Sequence, residues 1–214
     1  MGALKSFPFY TLFCMRILNY WIFILFFLTG CSSSTQQMQH LVGLLHEGDL
    51  AFRRGNSFDS FAVVMADKQG AFSHVGIVVR AIDDSLYIVH AVPDESVDGI
   101  DRLKCDLPSV FFAADKSSAG AILRLKKEAH IAHQAAKHAL ALYSRGVLFD
   151  HAYNYQDTTA FYCTELIDYV YSCAGVHLTN APLQKLSLPF HTGYYRFPSD
   201  LINSGLLYTV FSFQ

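Results

Sequence analysis

The sequence predicts an α+β domain with a mainly antiparallel β-sheet. Segments with the alternation and β-branched content of strands fill the first part of the chain, two segments with helical periodicity follow, and an apolar run closes it. Strands and helices that are grouped in this way, instead of alternating, are typical of α+β folds. The 214 residues suffice for one domain with its own hydrophobic core.

Five strands are predicted, at residues 50–53, 74–80, 86–92, 121–125 and 206–213. The second and third are rich in β-branched residues, and a turn at Asp83 and Asp84 joins them as a hairpin. His74 and His90 then lie within a few residues of register and can share one face of that hairpin.

Two helices are predicted in the second half of the chain. The first, residues 128–143, presents small and branched apolar side chains on one face and ends before Gly146. The second begins at Cys163 and ends at Gly175. Its apolar residues recur at helical spacing and are Leu166, Ile167, Val170, Tyr171 and Ala174.

The N-terminal segment is predicted to be a secretory signal peptide. Arg16 precedes an apolar run, and residues 17–30 are only 14 residues long, short of the ~20 that a helix needs to span a bilayer. A charged start, a short apolar run and small residues before a cleavage point are the features of such a signal. Met15 is an alternative start, and an uncleaved membrane anchor is the alternative interpretation.

The end of this segment, Leu28-Thr29-Gly30-Cys31, resembles the bacterial lipobox. The resemblance implies that residues 1–30 are a lipoprotein signal peptide and that Cys31 becomes the lipidated first residue of the mature protein. Its acyl chains would then hold the protein in a membrane.

The lipobox also implies the domain boundaries and the location. Residues 31–45 contain the lipidated cysteine and a polar tether, with a short helix expected at residues 40–45, and residues 46–214 form the domain. The location implied is the cell envelope, on the periplasmic side. Ser32 in place of Asp favours the outer membrane of a Gram-negative cell.

Charge and metal-ligand spacing narrow the classes of function. Loss of Lys5 and Arg16 with the signal changes the formal net charge from −2 to −4, and no basic patch is present, so nucleic acid is excluded as a partner. His130 and His133 lack a third metal ligand nearby, and no CxxC pair exists. Neither a metal nor another cofactor is expected.

The cysteine count leaves at least one free thiol. Removal of Cys14 and acylation of Cys31 leave Cys105, Cys163 and Cys173. An odd number means that one stays unpaired even in an oxidising compartment. Whether Cys105 and Cys173 pair is left open.

Cys163 and His74 have the placement of a nucleophile and its base. At the start of a helix, the thiol of Cys163 faces unpaired backbone N–H groups and the positive end of the helix dipole, which favour the thiolate. His74 begins an apolar strand about ninety residues upstream, and this arrangement is the one expected of a thiol hydrolase. His90 lies in an apolar run, where an imidazole needs a partner, so it is the candidate for orienting His74. Each residue alone has an ordinary interpretation: an inert thiol, a surface histidine and a core histidine.

Four short motifs strengthen the hydrolase interpretation. They are Gly48-Asp49-Leu50, Ser73-His74-Val75-Gly76-Ile77, Tyr87-Ile88-Val89-His90-Ala91 and Phe161-Tyr162-Cys163-Thr164-Glu165-Leu166. In this order they resemble the motifs of the permuted papain-like hydrolases, and the best match is the YiiX/YaeF group of the NlpC-type cysteine peptidase and amidase superfamily. The resemblance implies a circularly permuted papain-like fold, in which the sheet packs against the helix that begins with the nucleophile. It implies Cys163 as nucleophile, His74 as base and His90 as the orienting residue, where members of the group often have Glu.

The expected function is a lipid-anchored cysteine hydrolase that cleaves an amide bond through a thioester, without a cofactor. The resemblance and the envelope location imply a peptide or another small amide as substrate, with peptidoglycan peptides the leading candidate. Tyr162, Ser73 and Asp49 flank the motif residues and are expected to line the substrate site. The backbone N–H of Cys163 is the expected first donor to the oxyanion. The alternatives are an acyltransferase or lipid amidase of the same superfamily, and a non-catalytic lipoprotein that binds peptide or lipid.

Overall fold

The computed structural model describes residues 35–68, 70–155, 157–188 and 191–214. The chain divides into two compact units, residues 1–41 and 42–214. The described part of the first unit, residues 35–41, is helical. The predicted signal peptide and the predicted lipidation site Cys31 lie outside the described residues.

Residues 35–44 form helix α1. A short helix is expected at residues 40–45, and the observed helix begins five residues earlier, within the predicted tether. The segment contains Gln36, Gln37, Met38 and Leu41, residue types with high helix propensity, which explains the difference.

The strands of the described residues are β1 Leu50–Gly55, β2 His74–Arg80, β3 Leu86–Ala91, β4 Leu103–Asp106, β5 Ser117–Leu125, β6 Leu148–Phe149, β7 Ala160–Phe161, β8 Gln184–Leu188, β9 His191–Tyr195 and β10 Leu207–Phe213. Six of them form the main sheet, in the order β10-β5-β1-β2-β3-β4, and every neighbouring pair is antiparallel. Strands β6 and β7 form a short parallel pair, and β8 and β9 an antiparallel pair. The α+β class and the mainly antiparallel sheet are confirmed.

The helices after α1 are α2 Phe58–Ala66, α3 Pro108–Phe111, α4 Ala129–Ser144, α5 Cys163–Cys173 and α6 Pro198–Ile202. Among the described residues, none of the helices combines the length and apolar character needed to cross a bilayer. Residues 61–65, a short apolar run whose pattern does not decide between strand and helix, belong to α2.

Helices α4 and α5 pack on one face of the sheet and form the core with it. Alternation along the strands directs Phe52 and Val75 to this face, and both side chains are fully buried. Leu166 and Val170 of α5 are fully buried in the same cluster. Each such side chain contributes about 1.5–3 kcal/mol relative to exposure.

The opposite face of the same strands carries buried apolar side chains, such as Val78 and Ile88, together with polar ones. His74 alternates with Val75 along β2, and Arg53 alternates with Phe52 along β1. The side chains of His74 and Arg53 therefore point away from the core helices. Polar side chains are concentrated at the end of this face where β2 begins, here called the polar face, and this end is the location of the candidate site.

Candidate active site

Two histidines and an aspartate form a hydrogen-bonded chain on the polar face of the sheet. Nε2 of His74 lies 2.9 Å from Nδ1 of His90, and Nε2 of His90 lies 3.2 Å from Oδ2 of Asp106. Both histidines are buried, and the ring of Phe111 lies edge-on to His90 at a centroid distance of 5.0 Å. Neighbouring strands and this ring therefore hold both imidazoles in one orientation.

The strand register explains why three residues far apart in sequence meet. Gly76 pairs with His90, and His74 lies two residues before Gly76 on the same face of β2. The next strand pairs Ile88 with Asp106, and Ile88 lies two residues before His90. A Cβ on Gly76 would lie 3.0 Å from Cβ of His90 and 2.5 Å from Cγ2 of Ile88. Glycine at position 76 therefore lets β3 approach closely enough for the two histidines to bond.

The hydrogen bonds define the tautomer of each imidazole. Burial alone raises the pKa of Asp106, but the hydrogen bond from His90 and the nearby charges lower it below its usual value. The ionised carboxylate only accepts, so Nε2 of His90 carries a proton and Nδ1 of His90 accepts. His74 then donates from its own Nε2. Its Nδ1 keeps a lone pair and is the atom that can take a proton from a thiol.

Both imidazoles are neutral near neutral pH. Burial lowers the pKa of His74 well below its usual value, and the charges of Arg53 and His90 act in the same direction. Burial also lowers the pKa of His90, although the hydrogen bond to Asp106 opposes this effect. A neutral His74 is the form that can act as a base.

Helix α5 begins at Cys163, whose partly buried thiol lines the same cavity as His74. Burial raises the pKa of this thiol to about 11, although backbone hydrogen bonds from Val75 and Thr164 oppose the increase. Because Val75 follows His74 in β2, the sulfur lies against the start of that strand. The helix start favours the thiolate as expected, but burial has the larger effect, so the pKa of this thiol lies above its usual value.

Arg53 is a buried cation next to the two histidines. It lies opposite His74 in the register of β1 and β2 and is 4% exposed. Nη1 of Arg53 donates to the carbonyl oxygen of Phe111 at 2.9 Å, and Nη2 donates to Glu95 at 3.0 Å. The guanidinium also stacks over the Phe111 ring, 4.7 Å from its centroid. Arg53 thereby fixes α3 over the two histidines.

Glu95 balances the positive charges of Arg53 and of two lysines beside the site. Its carboxylate accepts hydrogen bonds from Nζ of Lys116 at 2.8 Å and from Nζ of Lys104 at 3.0 Å. Burial by itself raises the pKa of Glu95, but the hydrogen bonds from the two lysines and the charge of Arg53 lower it to about 2. Glu95 therefore stays ionised and ties the segment after β3 to the site.

A cavity of about 420 Å³ is lined by Cys163 and His74 together. Its volume is in the range of small-ligand pockets. Apolar side chains form one part of its wall and include Ala62, Val63, Phe149, Tyr153, Tyr195 and Phe197. Charged side chains form another part and include Arg53, Glu95 and Lys116. The cavity thus presents a thiol and an imidazole to a ligand with both apolar and polar groups.

Ser73 and Tyr162, two residues expected to line the substrate site, do line this cavity. Oγ of Ser73 accepts a hydrogen bond from the N–H of Gly55 at 2.9 Å. The hydroxyl oxygen of Tyr162 accepts from the N–H of Arg196 at 3.0 Å, and the residue is the N-cap of α5. Both side chains are therefore fixed by backbone groups of other segments.

Asp49 lies away from the cavity, contrary to the expectation from its motif. Its side chain is 1% exposed and accepts two hydrogen bonds from Arg124, at 2.7 and 2.8 Å. The N–H of His46 donates to the same carboxylate at 2.8 Å. A paired carboxylate of this kind joins the start of β1 to β5, which is a structural role.

Asp106 and Arg53 belong to the site, although no motif identifies them. Asp106 lies in the four-residue strand β4, which is too short to be predicted from its pattern. The one available signal is the alternation of polar Lys104 and Asp106 with apolar Leu103 and Cys105. The pairing of β4 with β3 is needed to bring Asp106 to His90.

The other described cysteines take no part in the site. Cys105 is partly buried in β4, Cys173 is exposed at the end of α5, and both are free thiols, so they do not pair with each other. Burial raises the pKa of Cys105 to about 11. Within the described ranges, no group of three or more His, Cys, Asp or Glu side chains is arranged to hold a metal ion.

In comparison with known proteins, no family model matches the chain, and no curated protein matches its sequence.

Proposed function

We propose that this protein is a lipid-anchored cysteine hydrolase of the cell envelope, which cleaves an amide bond with Cys163 as nucleophile, His74 as base and His90 as the orienting residue. One observation carries the proposal: the chain of hydrogen bonds from Asp106 to His74 leaves Nδ1 of His74 as an acceptor, in a cavity that the Cys163 thiol also lines. The expected permuted papain-like fold is compatible with the antiparallel sheet and with a helix that begins at Cys163.

The protonation states determine the first step. Because both the thiol and His74 are neutral, proton transfer accompanies the attack. As the sulfur of Cys163 bonds to the carbonyl carbon of the substrate, its proton moves to Nδ1 of His74 and the carbonyl π electrons move to the oxygen. The backbone N–H of Cys163, which has no partner within the first turn of α5, donates to this oxyanion.

His90 and Asp106 stabilise the imidazolium that forms in this step. Nε2–H of His74 donates to His90, and His90 donates in turn to the carboxylate of Asp106. Asp106 thereby supplies the negative charge that a neutral histidine in the third position lacks. The charge of Arg53 is balanced by Glu95, which limits its repulsion of the imidazolium.

Collapse of the tetrahedral intermediate completes acylation. The C–N bond breaks, the amine leaves with the proton from Nδ1 of His74, and a thioester with Cys163 remains. A water molecule then attacks the thioester while His74 takes its proton. The C–S bond breaks, the sulfur of Cys163 takes the proton back from Nδ1 of His74, and the carboxylic acid leaves.

The cavity and the location together support small peptides as substrates. A volume of about 420 Å³ accepts a short peptide segment, and the aromatic part of the wall suits a flat amide or an aliphatic side chain. Peptidoglycan peptides are the amide class that an anchored periplasmic enzyme meets. We therefore assign the stem or cross-link peptides of that polymer as the substrate class.

Trapping of the acyl-enzyme tests the proposal. The full-length protein is incubated with a panel of amino-acyl anilides and peptidoglycan peptides, and the mass of each cysteine-containing fragment is measured after rapid acid quench. We expect release of the amine and an acyl group on Cys163 in the wild type, and neither in Cys163→Ala. Cys173→Ala is the matched control, because it removes an exposed thiol from the same helix. Absence of both product and adduct across the panel contradicts the proposal.

The protonated thiol favours one alternative, a lipoprotein that binds a peptide or lipid in the same cavity without cleaving it. The pKa of about 11 for the buried Cys163 thiol is also typical of an inert, buried cysteine. His74→Ala separates the two functions when ligand binding and turnover are both measured. An enzyme loses turnover in this variant and keeps much of its affinity, whereas a binding protein shows no turnover even in the wild type.

A further inference from the structure

Helix α2 is apolar in composition, yet it lies on the surface. Seven of the nine residues of Phe58–Ala66 are apolar, and none of the nine is buried. Phe58 is 84% exposed, Phe61 62% and Met65 65%. A helix that is apolar on most sides is normally covered by another element. These three side chains, here called the α2 stripe, therefore indicate a partner.

The α2 stripe and the cavity lie on different faces of one helix. Phe58, Phe61 and Met65 recur at the i, i+3 and i+7 spacing of a single helix face. The residues of α2 that line the cavity are Asp59, Ser60, Ala62 and Val63. The distance between the stripe and the cavity is therefore about one helix diameter, 10–12 Å.

Both ends of α2 are fixed to the domain. Just before its start, Nδ2 of Asn56 donates to the carbonyl oxygen of Ala114 at 3.0 Å. At its end, the buried carboxylate of Asp67 accepts from the N–H and the hydroxyl of Ser199, at 3.1 and 2.5 Å. The α2 stripe is thus held in place facing outward.

The predicted anchor keeps the domain close to a membrane. Ten residues, 32–41, separate Cys31 from Val42, where the second unit begins. Fully extended, they span at most about 40 Å. Residues 35–41 are helical, which shortens this reach. A domain attached at Cys31 therefore stays within about its own diameter of the bilayer surface.

The charges beside α2 suit a lipid surface. Arg54 precedes the helix and Lys68 follows it, and both are exposed. Nε of Arg54 donates to the carbonyl oxygen of Ala71 at 2.7 Å. Apolar side chains flanked by cations are the arrangement of segments that lie in the interface of an anionic membrane.

We propose that the α2 stripe inserts into the surface of the bilayer that holds the acyl chains of Cys31, and that it places the cavity beside the lipid headgroups. The inference rests on the lipid anchor of the proposed function and is independent of hydrolysis. With the stripe at the interface, Arg54 and Lys68 meet the headgroups, and the cavity opens within one helix diameter of them.

Tryptophan fluorescence tests the contact, because the only tryptophan of the chain, Trp21, lies in the predicted signal peptide. Full-length Phe61→Trp is processed in its host and reconstituted into vesicles of phosphatidylcholine and phosphatidylglycerol with brominated acyl chains. We expect a blue shift and about twofold or stronger quenching relative to unbrominated vesicles, because an interfacial helix buries its apolar face about 5–10 Å deep.

Ile82→Trp is the matched control. Ile82 is fully exposed and follows the end of β2 that is remote from His74. Helix α2 packs at the other end of β2, close to His74, where Ser60 lies against Gly55. The seven residues of β2 put about 20 Å between these ends. We expect the indole at this control position to stay unquenched, and the wild type gives the background from any retained signal peptide.

Flotation of the vesicles reports the anchor separately. If the wild-type protein floats but the indole of Phe61→Trp is quenched no more than that of Ile82→Trp, the inference is overturned. The hydrolase proposal stays intact in that case. Protein that does not float overturns the anchor and the inference together. A blue shift that develops without lipid and grows with protein concentration shows that a second copy covers α2, which also overturns the inference.

Discussion

Asp106 does not line the cavity, yet hydrogen bonds connect it to the base through His90. Its charge keeps Nδ1 of His90 an acceptor, and this in turn keeps Nδ1 of His74 free to take a proton. A residue in this position acts through its neighbours and does not touch the substrate. Its effect is therefore expected in kcat and not in substrate binding.

The substitution Asp106→Asn removes the charge and keeps the size. We expect kcat to fall about tenfold to a hundredfold with little change in KM, because a hydrogen bond to a charged group contributes about 1.5–3 kcal/mol. Steady-state kinetics with the amide substrate measure both constants. Asp98→Asn is the control, since that exposed carboxylate pairs with Arg102 on the surface. An unchanged kcat in Asp106→Asn, or an equal loss in the control, contradicts the assigned role.

The Cys163 thiol has a pKa of about 11 through burial, so its alkylation has a defined pH profile. In a chain with Cys105→Ala and Cys173→Ala, we expect the rate with iodoacetamide to rise about tenfold per pH unit from pH 7 to pH 10. Mass spectrometry of the quenched protein measures this rate. A plateau already reached by pH 8 shows a preformed thiolate and contradicts the concerted proton transfer. Slow alkylation at neutral pH is the expected property of this resting thiol.

At the scale of elements, the approach of β3 to β2 depends on Gly76. A Cβ at this position meets Ile88 and His90. We expect Gly76→Ala to lower the free energy of unfolding by about 1–3 kcal/mol, as overpacking does, and to abolish activity by separating His74 from His90. Urea denaturation and amide hydrolysis measure the two effects.

Gly43→Ala is the control for this prediction, because nothing lies within 4 Å of a Cβ at Gly43. That residue is in helix α1, where alanine is favoured over glycine, so a neutral or slightly stabilising effect is expected. Full activity in Gly76→Ala shows that the contact between the two histidines is not needed.

The elements with a strong local pattern are those that sequence predicts. The hairpin of β2 and β3 follows from β-branched runs and a polar turn, and it brings His74 and His90 together as expected. Helices α4 and α5 follow from apolar residues at helical spacing. Helix α2 has a short apolar run that suits a strand or a helix equally, and only its cap at Ser57 and its tertiary contacts decide.

Properties that depend on packing are those that sequence does not predict. The position of Asp49 in its motif resembles that of a site residue, but its carboxylate is bound by Arg124 from a strand about 75 residues away. The helix start at Cys163 favours a thiolate, but the burial that reverses this effect depends on the cavity wall. Asp106 needs the pairing of β4 with β3. In each case the deciding neighbour is distant in sequence.

At the scale of the whole molecule, stability depends on pH through a buried carboxyl group outside the cavity lining. Glu165 is 3% exposed and accepts a hydrogen bond from the N–H of Tyr162 at 3.3 Å. Burial raises the pKa of Glu165 to about 8, against the opposing effect of the Tyr162 N–H. In the unfolded chain the pKa returns to about 4.3. Between these values the folded chain holds a proton that the unfolded chain has lost, so the free energy of unfolding falls as the pH rises.

The substitution Glu165→Gln removes this titration and keeps an acceptor for the N–H of Tyr162. We expect the free energy of unfolding of the wild type to fall by up to about 3 kcal/mol between pH 5 and pH 8, and that of Glu165→Gln to stay nearly constant. Urea denaturation followed by circular dichroism measures both series. Glu128→Gln is the matched control, because that side chain is 83% exposed and its loss leaves the wild-type pH dependence in place. A fall with pH that is the same in Glu165→Gln and in the wild type assigns the dependence to another group. If the prediction holds, the helix that begins at Cys163 is most stable at mildly acidic pH, where Glu165 is protonated and the neutral His74 still acts as a base.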